Sequence, residues 1–148
     1  MFSSTGGIEV INKFISKLKP RYITIRDMYC DEPLPITDHE AFKELYDQLP
    51  FYVCQDFLDK FGILTSWKDV THLLMKLQWV DNGWEDELRE NYYSWTIDQF
   101  INEIDGDYIP TFDCRYQLPY LSEKWKKEYD WYNPDIHTHA QFILRRDD

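Results

Sequence analysis

Residues 79–107 read WVDNGWEDELRENYYSWTIDQFINEIDGD, and how this stretch folds decides the architecture of the chain. Read as one helix, it contradicts itself. At about 100° per residue, Asp86, Glu87 and Glu90 point the same way as Ile97, Ile101 and Ile104, and one face cannot be both solvated acid and core. The phase conflict predicts two helices. The first covers 84–91 and carries its acids in the first turn, where the macrodipole favours them. The second starts at Ser94 or Thr96, with Thr96-x-x-Gln99 in the form of a capping box. Its stripe is Ile97, Phe100, Ile101 and Ile104, and Gly106 stops it. The break falls at 92–95 and gathers Tyr92, Tyr93 and Trp95 at a turn.

The same stretch holds three of the six tryptophans, and nine acids against Arg89 alone. Charge elsewhere is uneven. Residues 1–30 carry five bases and two acids, residues 31–114 five bases and nineteen acids, and residues 115–148 six of each. Direct binding to a phosphate backbone needs clustered Lys and Arg, so the acidic middle argues against direct nucleic-acid binding. It fits solubility, repulsion from anionic membranes, and fast association with a basic partner. The bland reading is a solvated acidic surface.

At 148 residues the chain has the size of one domain, with residues 1–7 expected to fray. Three widely spaced cysteines, Cys30, Cys54 and Cys114, read as free, mostly buried thiols. No apolar run approaches the length of a bilayer span, and no signal peptide is evident. A cytoplasmic protein is expected.

Working outward, Ile8, Ile11, Phe14 (or Ile15) and Leu18 recur at helical spacing before Pro20. Residues 21–28 alternate as a strand, with Ile23 and Ile25 opposite Tyr22, Thr24 and Arg26. Thr37-x-x-Glu40 has capping-box form before Phe42, Leu45, Tyr46 and Leu49. Pro50 opens a helix with Val53, Cys54, Phe57, Leu58 and Phe61, closed by Gly62. Ser66 and Asp69 cap a third, whose Val70, Leu73, Leu74 and Leu77 face inward. Residues 108–116 form a strand with Tyr108, Phe112, Cys114 and Tyr116 on one face, and Pro110 confines it to an edge or a strand start. A helix from Ser122 to Tyr132 bears Leu121, Trp125 and Tyr129. Residues 136–144 alternate as a final strand. The expected fold is α+β: a mostly helical single domain of about six helices with a small two- to three-stranded sheet.

Functional motifs are few. His137 and His139, two apart on a strand, could share one metal ion, but no third ligand is local; a solvent-facing strand gives the same pattern. No nucleophile elbow, cysteine-protease signature or phosphate-binding glycine loop is present, and no cofactor is expected. The distinctive feature is an acidic, aromatic surface at 81–92 with the kink beside it: Asp81, Trp84, Glu85, Asp86, Glu87, Glu90, Tyr92 and Trp95. Tryptophan and tyrosine make interface anchors, and acids steer a basic partner. The competing reading places the rings in the core.

These residues suggest a protein-binding inhibitor that neutralises a basic, nucleic-acid-handling protein such as a nuclease. An immunity protein paired with a nuclease toxin would fit, as would a phage antagonist of a host defence complex such as an anti-CRISPR. The alternatives are a small metal-dependent enzyme or metal-binding protein using His137 and His139, and a structural or assembly subunit.

Overall fold

The strand that comes last in the chain forms the middle of its sheet. In the computed structural model, which describes residues 5–31, 35–36, 39–129 and 136–148, the elements run α1 (Thr5–Leu18), β1 (Tyr22–Met28), α2 (His39–Gln48), α3 (Phe51–Phe61), α4 (Trp67–Leu77), α5 (Trp84–Glu87), α6 (Ile97–Glu103), β2 (Tyr108–Tyr116), α7 (Pro119–Glu128) and β3 (His139–Arg146). Strand order is β1-β3-β2, antiparallel throughout. The fold is α+β, with helix predominating, as the residue pattern predicts. No helix among the described residues is long and apolar enough to cross a membrane. The Thr37–Glu40 capping box lies outside the described residues, as does the end of the expected 122–132 helix.

Strand alternation gives the sheet one buried face. Ile25, Ala140, Phe142, Leu144 and Tyr108 pack there with Ile15 of α1, with Phe100 and Ile104 of α6, and with Tyr29 and Trp95. Tyr22, Thr24 and Arg26 sit on the opposite, exposed face, as their alternation predicts. Strand β2 departs from the expected pattern. Its register with β3 shifts between Pro110 and Phe112, leaving Thr111 as an extra residue. A bulge of this kind reverses which side chains face inward. Tyr108 therefore points into the core, while Phe112, Cys114 and Tyr116 share the outer face. Cys114 is exposed, unlike Cys30, which is buried.

A second apolar cluster joins Phe42 and Leu45 of α2, Phe57 of α3, Leu121 and Trp125 of α7, and Val70, Leu73, Leu74 and Met75 of α4. Helix α4 is its axis. The residues suggest an inward stripe alone, yet every side chain from Val70 to Lys76 is buried, Thr71, His72 and Lys76 included. The reason is the segment that follows, which folds back over the polar side of the helix.

Both capping boxes around this region form. Ser66 Oγ accepts from Asp69 N, and Asp69 Oδ2 accepts from Ser66 N. Thr96 and Gln99 repeat the exchange at the start of α6. Helix α7 starts at Pro119, earlier than expected, because proline fits the first turn, where its missing N–H is not needed. Removing either cap hydroxyl, in Ser66→Ala or Thr96→Ala, should lower stability by about 1 kcal/mol in urea titration. No change in either would mean that the helix starts are held by packing alone.

Candidate interaction surface

The stretch 79–107 does divide in two, but its first helix is a single turn. Helix α5 ends at Glu87, short of the expected 84–91, and the cause is one side chain. Lys76 has no solvent exposure, and its ammonium donates to the carbonyl oxygens of Glu87 and, at 2.6 Å, of Glu90. A helix running to Asn91 would give the Glu87 carbonyl to the Asn91 N–H. Instead that acceptor is shared by the lysine and, at 3.1 Å, the Glu90 N–H, which closes the turn and sends the chain back across α4.

The pocket around this ammonium is aromatic. Lys76 Nζ lies 4.2 Å from the centre of the Tyr92 ring and 5.1 Å from that of Phe61, distances at which the ring faces attract a cation. Glu87 Oε2 is 3.8 Å away and also accepts from the Tyr92 hydroxyl. Burial still disfavours both charges. It lowers Lys76 to about 8 despite the attraction of Glu87 and Glu90, and it raises Glu87 despite the lysine. His72, one turn before Lys76, sits among Phe57, Phe61, Tyr92 and Tyr93. Burial, reinforced by the neighbouring ammonium, drives its pKa down to about 3, so it is neutral.

The predicted site residues now separate into three groups. Asp81, Glu85 and Asp86 are exposed, Glu87 is half-buried against Lys76, and Glu90 is half-buried. Trp84, Tyr92 and Trp95 are 7%, 4% and 7% exposed, so their rings belong to the core and not to a contact surface. Trp84 reaches across to α3, where its Nε1 donates to Asp56 Oδ2 at 2.9 Å. That bond brings Asp56 and Asp59 beside α5; with Lys60, Leu88 and Arg89 they line a shallow groove of about 280 Å³. Sequence reasoning missed both aspartates. Their i, i+3 spacing on the polar side of α3 was the available signal. Trp79, at the turn after α4, is 43% exposed and supplies the large ring that the buried three do not.

The two histidines do not converge. His137 is buried beside the fully buried Tyr29, ring on ring at 6.0 Å, with Nε2 3.4 Å from Asp31 Oδ1. His139 stacks on Tyr116 and shares a hydrogen bond between Nδ1 and the Thr138 hydroxyl. Among the described residues no group of three His, Cys, Asp or Glu side chains could hold a metal ion. Cys54 lies in the apolar stripe of α3, and burial pushes its thiol pKa up.

Comparison of the chain with family models, with curated proteins and with solved structures returns no match.

Replacing the buried cation, in Lys76→Met, should cost about 3–5 kcal/mol, because the Glu90 carbonyl loses its donor, the Glu87 carbonyl keeps only the Glu90 N–H, and Glu87 keeps an uncompensated charge. Adding Glu87→Gln should return part of that loss in urea titration; a purely additive double variant would show that the two charges are not coupled. His72 gives a pH signature. The unfolded chain binds its proton below about 6.5, the folded one only near about 3, so stability holds above that window and falls as pH drops through it. The limiting slope is about 1.4 kcal/mol per pH unit. The stability gap between wild type and His72→Gln should therefore narrow between about pH 6.5 and pH 4.5; a constant gap would mean that His72 titrates normally.

Proposed function

We propose that the chain is a protein-binding inhibitor, with Asp56, Asp59, Asp81, Glu85 and Asp86 presented to a basic, nucleic-acid-handling partner. A nuclease neutralised by an immunity protein, or a defence complex blocked by a phage antagonist, has the groove of Lys and Arg that such a surface complements. The observation that carries the reading is the mounting of α5. Its acids project from a turn whose carbonyls are pinned to a cation with no solvent exposure. Acids held on a fixed frame lose little freedom on binding, which favours affinity at a given charge. Burial of Trp84, Tyr92 and Trp95 shifts the balance of the contact. Electrostatic attraction supplies the encounter, and Trp79 with the Leu88 side of the groove supplies the apolar contact.

The test is kinetic. A basic protein captured from the native host at low ionic strength should associate more slowly with Glu85→Lys/Asp86→Lys than with wild type. A fall in the on-rate of about tenfold or more is expected, with little change in the off-rate, and wild type should slow as salt is raised. An unchanged on-rate would reduce the acids to a solvated surface. Failure to capture any basic protein at low ionic strength would overturn the proposal.

A further inference from the structure

We propose that the open face of the sheet is a platform for single-stranded nucleic acid. Antiparallel register stacks its side chains in rows: Tyr22, Arg145 and Ile109; then Thr24, Ile143 and Phe112; then Arg26, Gln141 and Cys114. A last row, Met28, His139 and Tyr116, borders the larger apolar cluster, against which Met28 packs. No carboxylate stands in any row. In a chain with 27 acids and 16 lysines and arginines, that is a marked segregation. Strand alternation produces it, because Asp27 and Asp113 fall on the other face, paired with Ala140 and Phe142.

The arginines make the same division. Arg89, Arg115 and Arg146 are held by Asp86, by Asp31 and Asp113, and by Asp148. Arg26 and Arg145, on the open face, make no salt bridge among the described residues. Arg26 is set in place by a neutral partner: its Nε donates to the Tyr116 hydroxyl at 3.1 Å, leaving its terminal N–H groups to face outward. Arg21, at the edge beside β1, lies 5.8 Å over the Tyr22 ring. Tyr22 and Phe112 are 53% and 46% exposed, on the two outer strands of this face.

Exposed rings interleaved with unpaired arginines fit a polymer with a π-face and a phosphate in every unit. Each base can stack on a ring while the guanidinium groups take the backbone. Strands about 4.8 Å apart, with the two rings one row out of line, place Tyr22 and Phe112 about 12 Å from each other, room for two or three bases. Duplex DNA hides its bases and would gain only the phosphate contacts. Net charge opposes any such binding at long range, but screening limits that repulsion to about 8 Å at physiological salt. An acidic protein segment would satisfy the arginines and leave the rings unused, so the observations favour the nucleic acid.

Fluorescence anisotropy with labelled eight-nucleotide oligo-dT and oligo-U, a hairpin duplex and a poly-glutamate peptide tests this. Both single strands should bind with dissociation constants in the tens of micromolar, more tightly than the duplex or the peptide. Phe112→Ala and Arg145→Ala should each weaken binding about fivefold or more, with melting temperature unchanged because both side chains are exposed. Glu85→Lys/Asp86→Lys, which tests the acidic surface, should leave the dependence on Phe112 intact, so either proposal can fail alone. Absence of saturable binding, equal affinity for the duplex, insensitivity to Phe112→Ala, or preference for poly-glutamate would each overturn the platform.

Discussion

A lysine ammonium with no access to water sets the shape of the acidic half of this protein. Lys76 sits on α4 between the Tyr92 and Phe61 rings and donates to the carbonyls that close α5. The C-terminal end of a helical turn carries partial negative charge and orphan acceptors, and a cation answers both. The Glu87 carbonyl also accepts from Glu90 N, but without the lysine the Glu90 carbonyl, folded against an apolar helix, would lose its donor at a cost of about 1–3 kcal/mol. The charge that looks out of place in the core is what allows the segment after α4 to be there. It also sorts the carboxylates: Glu87 turns in towards Lys76, and Asp81, Glu85 and Asp86 are exposed.

Tyr29 plays a comparable part where the two apolar clusters meet. Its ring contacts Trp95 at 4.9 Å and Phe142 at 5.0 Å edge-on, arrangements that the ring quadrupole favours. Its hydroxyl donates to Asp31 Oδ2 at 2.7 Å and accepts from Ile97 N at 3.1 Å, tying the first turn of α6 to the end of β1. Burial is the main reason its pKa lies well above the usual tyrosine range, so this hydroxyl remains a donor. Arg115 closes the arrangement from β2, paired with Asp31 and Asp113 and lying over the Tyr29 and Phe142 rings. The kink at 92–95 is therefore anchored from two directions, by Lys76 on Tyr92 and by Tyr29 on Trp95.

Local patterns made much of this legible in the sequence. The phase conflict between Asp86–Glu90 acids and the 97–104 isoleucines divides the central stretch correctly, because helical periodicity is a property of the segment alone. The Ser66 and Thr96 boxes, the strand alternation of 21–28, and the edge position demanded by Pro110 are local in the same way. What escaped is long-range. Nothing near Thr111 announces a bulge, because the extra residue is defined only against β3. Lys76 in the run LLMKL has the look of a solvated interruption until the chain returns over it. Trp84, Tyr92 and Trp95 could serve as core or as contact, since large rings suit both, and only the tertiary packing assigns them to the core. Asp56 and Asp59 joined the acidic surface because a tryptophan from another element bonds to one of them.

Net charge, read from composition, conceals how this fold distributes its ions. The excess of acid argues against contact with phosphate only if carboxylates are spread evenly, and they are not. Two of the five bases in residues 31–114 are engaged within the fold, Lys76 by burial and Arg89 by pairing with Asp86, and Arg115, just beyond, is paired with Asp31 and Asp113. The open sheet face keeps its arginines because a strand places alternate residues on opposite sides, so one face can be free of acid while the next residue along is Asp27 or Asp113. A short-range contact depends on the charges within a screening length, not on the sum over the molecule. Two surfaces of opposite character can then coexist on one small chain. The acidic one depends on a buried lysine for its shape, and the basic one depends only on the register of three strands.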